Sequence, residues 1–132
     1  MNQLPEAQNN PGTDAQKKTQ VLNLDQNLAG LLCYAPFAIG IVCSIVFVLT
    51  EPKTGKFVRF HAIQSLVLTA FGIGVNVVFG VLSFIHLGFI SALLSPIFIL
   101  VILAACIVCM IKAWKNEMYK LPVLGDIAAK YI

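Results

Sequence analysis

Cys106 and Cys109 stand as CIVC, an i, i+3 pair that a helix would place on one face. A CxxC can close a disulfide, and some quinone-linked membrane enzymes use one to make disulfides, working on the oxidising side. Here CIVC lies within a turn of Lys112, inside an apolar run, where a buried thiol is inert. With Cys33 and Cys43 the four cysteines fit no zinc spacing. They are expected to be small core residues, and a thiol-redox enzyme is the last of the alternatives.

His61 and His86 are the two histidines. On one helix their 25-residue separation is roughly 37 Å, so they cannot share a haem. No nucleophile–base pair, phosphate loop or paired intramembrane carboxylates appear. The acids are Glu6, Asp14, Asp25, Glu51, Glu117 and Asp126, all outside the apolar runs. A proton-coupled transporter carries an ionisable residue at depth, which argues against a pump and leaves a passive pore open. No enzyme, cofactor or metal is expected.

The elements that must position these residues follow from composition. Of 132 residues, 58% are hydrophobic and 11% charged, with mean hydropathy +0.85. A soluble domain is about 45–50% apolar and about 25% charged. Lipid is therefore the expected solvent, for one all-α integral membrane domain. Residues 1–27 are rich in Gln, Asn and Pro and lack a stretch of signal length. They read as a mostly disordered tail, with a short helical approach from Lys17 onward.

Residues 28–50 form the first apolar run, 23 residues or roughly 34 Å of helix, with a kink expected at Pro36. Residues 51–57, EPKTGKF, read as a polar turn. Residues 62–111 lack any charge; these fifty residues, roughly 75 Å of helix, suit two spans joined by a tight turn within 83–91, where His86 and Gly88 interrupt the run. The expectation is three transmembrane helices, at about 28–50, 58–85 and 89–114. Residues 28–117 then form the membrane domain. Pro96 is a second kink candidate, and a four-span division is the alternative.

Three spans put the 51–57 loop and the C-terminus on one side with Lys53, Lys56, Arg59, Lys112, Lys115, Lys120 and Lys130. Lys17 and Lys18 fall opposite, seven against two. Basic loops stay cytoplasmic, so the expected orientation is N-out and C-in, in a prokaryotic plasma membrane. The net charge of +3 and pI near 8.7 then reflect topology and anionic headgroups, not nucleic acid. Lys56, Arg59, Phe60, Lys112, Trp114 and Tyr119 are the expected interface anchors, with Arg59 snorkelling to the headgroups.

In the second span, His61, Ser65, Thr69, Gly72, Asn76, Gly80 and Ser83 recur at helical spacing within an arc roughly 100° wide. Gln64 stands just outside it. A packing seam through small residues, with Asn76 bonding across it, is one reading; a polar path is the other. Gly30, Cys33, Phe37, Gly40 and Ser44 offer a facing arc on the first span, with Gly40 against Gly72 a plausible contact.

Residues 118–132 follow the last span. Leu121, Leu124, Ile127 and Ala128 recur at helical spacing, with Asp126 and Lys130 off that face. The segment reads as a short amphipathic helix on the inner leaflet, or one docked on a partner helix.

LAGLLCYAPF, KFVRFHAIQS and KAWKNEMYKLPVLGDIA resemble a family of small uncharacterised polytopic membrane proteins of bacteria and archaea, over roughly residues 27–130. That family is distantly similar to the chloroplast inner-envelope protein-import component. This second likeness implies a helical translocon or channel subunit, carried by Arg59, Phe60, His61 and Gln64. The import component has four spans against three counted here.

The leading expectation is a non-enzymatic interaction or scaffold subunit. Its partners are the lipid bilayer and further copies of itself or a larger membrane complex, because three short helices bury little against one another. A translocon-like or channel subunit is the second reading.

Overall fold

The structure, a computed structural model, describes residues 18, 19, 22–36 and 38–132. Most of the tail expected to be disordered, and Phe37, lie outside the described residues. Within them the chain is helical, without a strand: α1 Gln26–Leu32, α2 Ala38–Thr50, α3 Lys56–Leu82, α4 Gly88–Trp114 and α5 Leu124–Lys130.

The single kinked span expected over 28–50 is not what forms. Helix α1 stops at Leu32, ahead of Pro36, and the chain reverses before α2. Ser44 Oγ donates to the Cys33 carbonyl at 3.2 Å. A continuous helix would hold those residues roughly 16 Å apart. Proline alone would permit a kink; two further devices make it a reversal. The Ser44 hydroxyl ties α2 back to the Cys33 carbonyl at the end of α1. Gly40 lets α2 approach the preceding turn, since a Cβ there would stand 3.0 Å from the Cys33 oxygen and closer still to that of Ala35.

Helix α2 then runs antiparallel to α3. Ser44 and Ser65 share a hydrogen bond between hydroxyls. At the lower end Arg59 Nη1 donates to the carbonyls of Val48 at 2.8 Å and Glu51 at 3.0 Å. Both carbonyls lie at the C-terminus of α2, where a cation also meets the negative end of the helix dipole.

Helices α3 and α4 form a long antiparallel hairpin. Ser83 Oγ lies 2.6 Å from Ser91 Oγ, Phe98 sits 6.0 Å from both Phe71 and Phe79, and Gln64 reaches Cys109. The reversal occupies Ser83–Leu87, with helical geometry lost at Ile85 and His86. His86 takes the left-handed backbone, φ 65°. Gly88 is ordinary helix. The Lys56–Trp114 stretch is long and apolar enough to cross a membrane, and little of its most apolar window is buried.

A Schellman motif ends α4. Asn116 stands at φ 58°, its N–H bonding Ala113 O at 3.0 Å while the Glu117 N–H bonds Lys112 O at 2.9 Å. The chain then turns back, and α5 packs on α3. The C-terminal segment, expected on the leaflet or against a partner, is held on its own α3.

The core gathers at the end of the hairpin where α3 begins. Ala29, Phe47, Val58, Ala62, Leu68 and Leu121 form one buried cluster; Phe60, Ile63 and Ala128 form a second. Every Lys and Arg among the described residues belongs to the segments at this basic end. The far end, Ser83–Leu87, carries none.

Candidate functional site: a buried polar latch below an apolar cavity

Residues 61, 64 and 65 fall on one helical face, and all three side chains are buried. Above them the α1–α2 turn supplies Tyr34; below them the chain after α4 supplies backbone groups. Gly30 makes room for the imidazole, since a Cβ there would stand 3.4 Å from His61 Cδ2 and 3.2 Å from Ala113 Cβ. Gly125 does the same for Gln64, whose Oε1 lies 2.9 Å from where a Cβ would be.

One chain of hydrogen bonds satisfies His61, Tyr34 and Gln64. The Glu117 carbonyl can only accept, so His61 donates Nε2–H to it at 3.2 Å. His61 Nδ1 then accepts a hydrogen bond from the Tyr34 hydroxyl at 3.3 Å. The Tyr34 oxygen in turn accepts from Gln64 Nε2 at 3.0 Å. Gln64 gives its other amide hydrogen to the Tyr119 carbonyl at 3.1 Å. Its Oε1 accepts from the Leu121 N–H at 3.4 Å. The donors and acceptors fix both the imidazole tautomer and the amide orientation. The His61 ring also meets Phe57 and Phe60 edge-on, with centroids 4.7 and 5.4 Å away.

The arrangement fastens segments together. His61 and Gln64 are 0% exposed and their polar atoms are engaged. What they hold is the segment from Glu117 to Leu121 and, through Tyr34, the α1–α2 turn. All four cysteines are free thiols. Among the described residues no group of three or more His, Cys, Asp or Glu could hold a metal ion.

Above the latch lies a cavity of about 880 Å³ between α3, α4 and the tip of the α1–α2 hairpin. Its walls are mainly aliphatic, including Ile41, Leu68, Ile73, Ile102, Leu103 and Ile107. Ser65, Thr69, Gly72 and Asn76 line one side. A second cavity of about 280 Å³ follows towards the far end, bordered by Asn76, Gly80, Ser83, Ser91 and Ser95. The polar arc therefore divides. His61 and Gln64 close the basic end, and the remainder from Ser65 to Ser83 faces the cavities.

The arc is open within the chain at its two upper glycines. A Cβ at Gly72 or Gly80 would meet no atom within 4 Å. Gly72 and Gly40 border the same cavity without packing on each other, so the expected Gly40–Gly72 contact is absent. Asn76 is exposed and bonds its own helix, Nδ2 to the Gly72 carbonyl at 2.8 Å, rather than bonding across a seam.

The expected anchors separate in the same way. Phe60 is 0% exposed, buried against Ala128 of α5 instead of bedded at an interface. Arg59 is turned onto the end of α2, with Nε buried and without a hydrogen-bond partner. Lys56 and Trp114 are exposed. Lys112 bonds Glu117 at 2.6 Å and stands 5.8 Å from the Tyr119 ring centroid. The Lys112 hydrogen bond, with its charge, holds the Glu117 carboxyl below its ordinary pKa.

Sequence reasoning missed Tyr34, Gly125 and the backbone groups at 117, 119 and 121. A tyrosine inside an apolar run was the one available signal, because a buried hydroxyl needs a partner.

The family model of the magnetosome magnetite crystal formation proteins matches residues 21–128. A UPF0132 membrane protein of Methanocaldococcus jannaschii is 46% identical over 110 residues, covering 83% of this chain and 91% of that protein. A UPF0132 membrane protein of Archaeoglobus fulgidus is 43% identical over 109 residues, 83% of this chain and 97% of its own. A second M. jannaschii UPF0132 membrane protein is 37% identical over 115 residues, 86% and 75%. No solved structure matches the chain.

Proposed function

The chain belongs to the magnetosome magnetite crystal formation protein family, a family of membrane proteins, and we propose that it is a non-enzymatic membrane subunit that assembles with copies of itself. Helices α3 and α4 cross the plasma membrane of a prokaryote, with the C-terminus inside. The latch keeps the basic end a fixed unit, and the α3–α4 groove above it receives a helix of another copy. The membrane setting comes from the UPF0132 relatives.

One observation carries this reading. The small-residue face of α3 from Gly72 to Gly80 is open in the single chain, with the Asn76 amide exposed upon it. Lipid offers no hydrogen bonds, while a neighbouring helix can approach closely over glycine and bond the amide, at about 1–2 kcal/mol or less per contact.

A conduit is the second reading, supported by Asn76 bordering both cavities. The aliphatic walls weigh against it. So do Arg59, Phe60, His61 and Gln64, which carry the likeness to the import component yet border neither cavity.

The test replaces all four cysteines and places single cysteines at Thr69, Gly72, Asn76, Gly80 and Ser83, with Val67 and Val78 as controls. Disulfide cross-links between copies at Gly72, Asn76 or Gly80, with no labelling there by a charged thiol reagent, are the expected result. Labelling along the whole arc with silent controls would replace assembly by a water-filled path.

A further inference from the structure

We infer that the α1–α2 hairpin is re-entrant: it enters the membrane and leaves it on the same side, so the chain crosses twice and both of its ends share the basic side. This goes beyond the assembly reading and does not depend on the groove.

Contacts at successive depths carry the inference. Going up, Gly30 lies against Phe57 and Ala113, and Tyr34 lies against His61 and Gln64, one turn higher on α3. Coming down, Ser44 meets Ser65, and the carbonyls of Val48 and Glu51 meet Arg59, one to two turns lower. The segment therefore starts and finishes beside the first turns of α3. Its tip, Ala35 and Pro36, borders the cavity that α3 lines from Ser65 to Val77.

Length agrees. The 13 residues of α2 reach roughly 20 Å and the 7 of α1 roughly 10 Å, against a hydrocarbon core of about 30 Å. Irregular backbone at membrane depth is tolerated where protein covers it or where it lines a cavity. The tip meets that condition. The Tyr34 and Ala35 N–H groups bond Leu31 O and Leu32 O at 3.0 and 3.1 Å, Ser44 serves the Cys33 carbonyl, and Ala35 and Pro36 border the cavity.

Charge agrees independently. With residues 28–50 as a full span, Lys18 would sit opposite Lys53 and Lys112. With a re-entrant hairpin, every described Lys and Arg falls on one side, and the Ser83–Leu87 turn on the other carries none. The charge bias that orients membrane proteins becomes complete.

The experiment uses the full chain with its four native cysteines replaced and one cysteine introduced by Asp25→Cys, Lys115→Cys or His86→Cys. Each variant is exposed to a membrane-impermeant thiol reagent in right-side-out and in inside-out vesicles. Positions 25 and 115 should label from one side and position 86 from the other. Labelling of position 25 from the side of position 86, or from both sides, overturns the inference. An N-terminal epitope on the parent chain gives a second readout free of the substitutions. Protease should remove it from the same side that exposes a C-terminal epitope; removal from the opposite side overturns the inference as well.

Discussion

The Gln64 carboxamide donates to the Tyr34 hydroxyl across 3.0 Å, although thirty residues separate them. The same amide holds Tyr119 O and Leu121 N, more than fifty residues further along. One side chain thus fastens the α1–α2 turn and the C-terminal segment to α3. Gln64→Leu leaves the Leu121 N–H and Tyr119 carbonyl without this partner, at about 1–3 kcal/mol for each buried group left unsatisfied. In detergent the unfolding midpoint followed by Trp114 fluorescence should fall, and trypsin should cut after Lys120 sooner. Unchanged resistance at Lys120 would mean that Gln64 does not hold the segment.

Gly125 is the second point of closure. A Cβ there would lie 2.7 Å from Lys120 Cα, a backbone atom that cannot swing aside. Gly125→Ala should therefore lift the start of α5 from Gln64 and expose Phe60. Proteolysis after Lys120 and Lys130 should accelerate, while α3 and α4 keep their helicity by circular dichroism.

Arg59→Met removes two charge-assisted hydrogen bonds from the end of α2. Such bonds contribute about 1.5–3 kcal/mol. A loss within that range is expected in a reversible denaturation. Arg59→Lys should restore only part of it, because an ammonium lacks the planar fork. Full rescue by lysine would reduce the role to charge at a helix end.

Glu117 gives the pH dependence its sign. Its carboxyl is held below the ordinary value of 4.5, chiefly by the Lys112 hydrogen bond. The folded form is thus favoured above pH 4.5, and that contribution fades as the pH falls through the lowered value. The pair is exposed, so the effect is small. Amide hydrogen exchange over residues 115–120, read at each pH and corrected for the intrinsic rate, should quicken between pH 5 and pH 3 in the parent beyond any response of Glu117→Gln. Identical profiles in the two proteins would dismiss the pair.

The sequence is legible where a single helix carries the information. The polar arc of α3 follows from spacing alone, and its residues from Ser65 to Ser83 border the two cavities. The reversal between α3 and α4 follows from the uncharged length, although the left-handed backbone falls on His86, not on the glycine that usually takes it. The reading failed where two segments decide together. Pro36 announces an interruption, and a kink and a reversal share that signature. The Ser44 bond to Cys33 and the glycine at 40 choose between them. Phe60 beside Arg59 has the appearance of an interfacial pair until α5 covers it. The partners of His61 and Gln64 along residues 117–121 are backbone groups, which every residue possesses and no motif can mark.

The Ser83–Leu87 turn bears on how the protein is made. Phe84 within it and Phe89 just beyond it are 90% and 83% exposed, and the five residues carry neither a carboxylate nor an ammonium. A fixed charge at the centre of a bilayer costs about 2.5–3.5 kcal/mol on insertion scales. No Asp, Glu, Lys or Arg between 62 and 111 has to be carried through the hydrocarbon. In the proposed topology the α3–α4 hairpin can thus enter as one piece from the ribosome's side, tip first, while its lysines stay behind in water.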